Sequence, residues 1–138
     1  MNQGIQTNFP HEALRKYGCY FFSLMKWLEV TDGRAFSNDD LLRIYQEAGR
    51  TGLLRASDCF IQDAVGLLNF ALGGRKYRDI RRDVQAAPPD GTAVRRLARN
   101  GGRETHFTVQ IAGVEWDPLD PARAAAKTWA FHSFRVPV

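Results

Sequence analysis

The chain is poor in cysteine, holding only Cys19 and Cys59, which lie far apart. Two such thiols exclude a disulfide framework, and they lack the close pairing of a zinc ribbon or a redox CxxC motif. Both read as free thiols. Long apolar runs are also missing: no stretch approaches the roughly 20 residues that cross a bilayer. The opening Met1-Asn2-Gln3-Gly4 lacks the basic-then-apolar order of a secretory signal. These absences argue against a membrane partner and predict a cytoplasmic protein. Neither His11 nor His132 has ligand-like spacing to a cysteine, so no metal and no cofactor is expected. Repeats and low-complexity stretches are absent too.

What is present is the material of one packed domain covering residues 1–138. Hydrophobic residues make up 44% and charged residues 25%, which suits a core with a solvated surface rather than a disordered chain. The formal charge of +4 comes largely from Arg75, Lys76, Arg78, Arg81 and Arg82, then Arg95, Arg96, Arg99 and Arg103. Asp79 and Asp83 interrupt the first cluster, and no aromatic ladder accompanies it. The clusters therefore read as a solvated strand face, ahead of a polyanion site, and argue against a nucleic-acid partner.

Periodicity divides the chain into helices followed by strands. Phe21, Leu24, Met25 and Leu28 recur at helical spacing over 19–30, with Phe22 and Trp27 widening the apolar face, so this helix is expected to be central. Ser37 with Asp39 and Asp40 caps a second helix that carries Leu41, Ile44, Tyr45 and Ala48. A third is predicted from about Ser57 or Asp58 to Leu72, closed by Gly73-Gly74. Beyond it, 76–85 and 92–99 read as extended, with a turn over 88–91 between them. Asn100-Gly101-Gly102 signals a hairpin into 105–112, where Phe107, Val109 and Ile111 alternate with polar residues. A short strand over 114–117 and a last one over 128–136, after Pro118 and Pro121, complete an α+β arrangement of N-terminal helices on a C-terminal antiparallel sheet.

Cys19 follows Gly18 at the start of the central helix, where unsatisfied N–H groups and the positive end of the helix dipole favour thiolate over thiol. His106 begins the clearest strand. An imidazole beside a thiol can accept its proton and return it to a leaving group. Asp117, in Trp116-Asp117-Pro118, follows at the end of the next strand, where a carboxylate would orient the ring and stabilise its charged form. Asp120 competes for that place. Cys59 reads as a buried thiol, and Trp27, Trp116 and Trp129 as core and rim aromatics, with Trp116 able to shield the carboxylate–imidazole contact.

In order and context these residues resemble the papain-like cysteine peptidases, and most closely the branch of the bacteriocin-leader-processing peptidases. Tyr17-Gly18-Cys19-Tyr20-Phe21-Phe22-Ser23-Leu24-Met25 looks like the nucleophile motif, Thr105-His106-Phe107-Thr108-Val109 like the histidine strand and Trp116-Asp117-Pro118 like the Asp-Pro segment. The resemblance implies a papain-like fold and a cysteine hydrolase that cleaves an amide or peptide bond through an acyl-cysteine. Its partner would be a peptide, protein or peptidoglycan-type amide substrate. It also implies a glutamine ahead of the cysteine as oxyanion donor. Gln6 is the nearest match, Gln3 an alternative, and an ordinary polar residue a third reading. Tyr20-Phe21-Phe22 is bulkier than the family's usual residues here, implying a crowded approach to the thiol. The competing function is a papain-like domain without activity that binds a protein or polyanion.

Overall fold

The protein is described from a computed structural model, over residues 1–120 and 129–138. Thr128 of the predicted last strand and Pro121 lie outside the described residues. The chain runs α1 (Glu12–Tyr17), α2 (Cys19–Asp32), α3 (Asn38–Arg50), β1 (Leu54–Arg55), β2 (Phe60–Ile61), α4 (Ala64–Leu72), β3 (Ile80–Val84), β4 (Ala93–Arg99), β5 (Glu104–Ile111), β6 (Val114–Trp116) and β7 (Ala130–Pro137). This is an α+β fold with the helices N-terminal and an antiparallel five-stranded sheet C-terminal. Among the described residues, no helix is long and apolar enough to cross a membrane.

The central helix is α2. Phe21, Phe22, Leu24, Met25 and Leu28 have no exposed surface, and the helix packs on β5 and α4. Removing side chains of this size from water contributes about 1.5–3 kcal/mol each, which makes α2 the element the other layers close around. Ser37 caps α3 as its spacing predicts: its hydroxyl accepts from Asp40 N–H, and the Asp40 carboxylate accepts from Ser37 N–H.

Two expectations about elements change. The third helix begins at Ala64, not at Ser57 or Asp58, because Leu54–Arg55 and Phe60–Ile61 pair as a hairpin and Cys59 turns the chain at φ 57. Asp63 then caps α4 by accepting from Gly66 N–H at 2.8 Å. The strand expected over 76–85 is confined to Ile80–Val84. Its first residues are held to α4 instead, where the Asn69 side chain accepts from Lys76 and Tyr77 N–H and donates to the Tyr77 carbonyl. Although consecutive in the chain, β3 and β4 are not neighbours in the sheet. The sheet order is β3-β7-β4-β5-β6, so the last strand fills the gap between them. The short helix α1 carries one fully buried residue, Leu14, too little apolar pattern to announce itself.

The junction between α1 and α2 fixes the start of the central helix. Gly18 N–H donates to the Leu14 carbonyl at 2.9 Å, and Phe22 N–H donates to the Gly18 carbonyl at 2.8 Å. Gly18 has φ −83, which any residue can adopt, so conformation does not demand glycine here. Space does: a Cβ would lie 2.4 Å from the Leu14 carbonyl oxygen and 3.0 Å from the Phe22 ring. We expect Gly18→Ala to lower stability by about 1–3 kcal/mol, as overpacking of tight sites does. Urea unfolding would show it as a reduced midpoint at unchanged slope, and an unaltered midpoint would contradict the packing argument.

Candidate active site

Three elements bring Cys19, His106 and Asp117 together. Cys19 is the first residue of α2, whose N-terminus has no side-chain cap. His106 is the third residue of β5 and is almost wholly buried. Asp117 directly follows β6, which pairs with β5 through Val109–Trp116 and carries the chain back past the imidazole. His106 Nε2 lies 2.8 Å from Asp117 Oδ1. Cys19 stands near the imidazole as well, close enough to favour its charged form.

Asp117, and not Asp120, meets the ring. It is buried, and Oδ1 also accepts from Leu119 N–H at 2.9 Å. Asp120 is exposed, and its N–H donates to the Thr7 hydroxyl at 2.8 Å. The N-terminal turn holds this segment in place: Gly4 N–H donates to the Asp117 carbonyl at 2.9 Å and Gln6 N–H to the Pro118 carbonyl at 2.8 Å.

The Gln6 side chain is buried, and its Nε2 donates to the Arg15 carbonyl at 3.1 Å. In an unbroken helix that carbonyl would receive the N–H of the residue four positions on, Cys19. Gln6 therefore sits at the junction that presents the thiol, with its Oε1 buried and unpartnered.

Cys19 is half-buried and opens on a cleft of about 790 Å³. The crowding implied by Tyr20-Phe21-Phe22 does not close it. Phe21 and Phe22 turn into the core, while Tyr20 stacks on Phe107 at 4.1 Å and forms the cleft wall. Cys59 lines the same cleft but is buried, and burial, followed by the nearby Cys19 and Asp58, pushes its thiol well up. His11 packs on the Tyr45 ring, and His132 bonds Ser133.

Two neighbours of the site carry little sequence signal. Trp129 lies with its ring 5.5 Å from that of His106 and is itself covered by the Arg99 guanidinium at 4.6 Å. Arg135 lies over both Tyr20 and Phe107, at 5.3 and 5.2 Å. Trp116, the indole beside Asp117 in sequence, is buried and faces Lys26.

The electrostatics of His106 follow from this enclosure. Burial pulls the imidazole toward its neutral form, but the hydrogen bond it donates to Asp117 and the influence of the nearby Cys19 prevail and raise its pKa from 6.5 to about 9. The charged ring is favoured in the folded state, so this contribution to stability is complete below pH 6.5 and is lost as pH rises through about 9. Its size is on the order of 3 kcal/mol. Urea unfolding of the wild type should therefore weaken between pH 6 and pH 10, and in His106→Gln the decline should be flatter. Equal pH slopes in the two proteins would contradict the raised affinity for the proton.

Residues 4–136 match the family described as "Protein of unknown function, DUF261". No curated protein and no solved structure matches the chain. The match runs from before α1 to the next-to-last residue of β7 and takes in Cys19, His106 and Asp117, and on that extent the chain belongs to the DUF261 family.

Proposed function

We propose that this protein is a papain-like cysteine hydrolase that cleaves an amide or peptide bond. The observation that carries the reading is the buried pair of His106 and Asp117 with Cys19 close by and opening on a cleft. An imidazolium at neutral pH can hold its proton until a leaving group needs it. The Cys19 sulfur attacks the carbonyl carbon, His106 gives its proton to the departing amine, and the C–N bond breaks to leave an acyl-cysteine. Water then attacks the acyl carbon, His106 takes the water's proton, and the thiolate leaves as the acid forms. Asp117 stays ionised and holds the ring.

Gln6 is the side chain we assign to the oxyanion, with the Cys19 backbone N–H. One of its two amide N–H groups is taken by Arg15, and the second is the donor for charge that develops on the carbonyl oxygen. Two free thiols, one of them at the working end of a cleft, suit a reducing compartment, so we place the chemistry in the cytoplasm.

An epoxide electrophile tests the reading, with peptide mapping of the adduct. It should modify Cys19 and spare Cys59, and His106→Ala should slow the reaction about 100-fold or more, within the usual range for lost acid–base catalysis. Slow and equal modification of both cysteines would leave the alternative, a domain that binds a protein or polyanion with its thiol idle.

A further inference from the structure

The cleft beside Cys19 is strongly cationic, and the charges come from an ordered part of the fold. Arg82 on β3, Arg135 on β7 and Arg96 on β4 stand on three adjacent strands, and all three line the cleft. Arg96 is paired across the sheet with Phe107 and so shares its face. The composition of the basic clusters suggested a solvated strand face. The topology instead draws one arginine from each of the two clusters to the wall of the candidate site and adds a third from the C-terminal strand.

These arginines are not neutralised by the protein. Among the described residues, no carboxylate lies within ion-pair distance of Arg82, Arg96 or Arg135. The other arginines of β4 show the contrast, since Arg95 is paired with Glu115 and Arg99 with Glu104. Among the described residues, the single acid lining the cleft, Asp58, is taken by Arg55, which donates to both of its oxygens, at 2.8 and 2.5 Å. Lys16, the fourth cation of the lining, is paired with Glu12.

Arg135 is also preset. It lies over two rings, donates to the Tyr20 hydroxyl at 3.3 Å and keeps a buried Nε–H without a partner. A guanidinium held flat in this way presents its donors in a fixed fork, which matches the two oxygens of a carboxylate. The remaining walls, with Phe60 and Tyr17 exposed at the cleft, suit the carbon skeleton that would carry such a group.

We propose that Arg82, Arg96 and Arg135 form a carboxylate-recognition wall and that the substrate is an acidic peptide, with Glu or Asp close to the bond attacked by Cys19. This rests on the hydrolase reading and adds the substrate class to it. The arginines are positioning residues in this scheme: they hold the peptide's acidic side chain while the thiol and imidazole act elsewhere in the cleft.

Two peptide vinyl sulfones, identical except for Glu-Glu against Gln-Gln next to the electrophile, make the test. Their second-order rates of modification at Cys19 would be measured in wild type, Arg82→Gln and Arg96→Gln at low and high salt. Arg82 is exposed, so its replacement leaves the fold intact and keeps the comparison valid. The wild type should react with the Glu probe about tenfold faster, the order expected of a charge-assisted pair in a partly desolvated cleft. Each substitution should cut that ratio about threefold or more, and salt should erode it. Equal rates for both probes in a wild type that reacts rapidly would overturn the acidic-substrate proposal while leaving the nucleophile in place. A preference that survives both substitutions would overturn it as well. Failure of both probes to modify Cys19 would instead bring down the hydrolase reading, and this proposal with it.

Discussion

The site depends on one buried ring. His106 lies inside the protein with a carboxylate on one nitrogen and a thiol nearby, and each neighbour favours the charged form that burial alone would suppress. An unpaired imidazolium at such depth would lose its proton, and an unpaired Asp117 would be equally costly to bury. Each group makes the burial of the other tolerable. The arrangement is therefore cooperative, and every element that positions one member bears on all three.

Those elements come from opposite ends of the described chain. The N-terminal turn bonds to the Asp117-Pro118 backbone, so residues before α1 fasten the carboxylate delivered by β6. The close contact at Gly18 sets where α2 begins and hence where Cys19 stands. Tyr20, next in sequence, stacks on Phe107, the residue after His106. Helix and strand are thus clamped to each other one residue beyond the reacting atoms, on a helix whose apolar face is wholly enclosed. Precision at the site is a consequence of core packing, since α2 cannot shift without opening the core.

Much of this was legible in the residues. Phe21, Leu24, Met25 and Leu28 announce the central helix, Phe107, Val109 and Ile111 the strand, and the order of Cys19, His106 and Asp117 on those elements points to a shared site. Choosing between Asp117 and Asp120 required the fold, because both follow β6 within a few residues and only the turn decides which carboxylate faces the ring. The hairpin of β1 and β2 was hidden because two-residue strands have no periodicity, and the left-handed turn at Cys59 is not one that cysteine advertises. Strand order was hidden for a different reason. Pairing between β7 and both β3 and β4 is non-local, and nothing in the alternation of any one strand names its neighbours. That same order brings Arg82, Arg96 and Arg135 to one wall, so the charge of the cleft was as unreadable as the topology that creates it.

Whether Asp117 and Cys19 hold His106 as an imidazolium in the resting protein is read by NMR titration of the His106 ring carbons in the wild type and in Asp117→Asn. The midpoint should lie near pH 9 and fall toward the ordinary histidine value when the carboxylate is removed. A wild-type midpoint at or below 6.5, unmoved by the substitution, would mean that they do not.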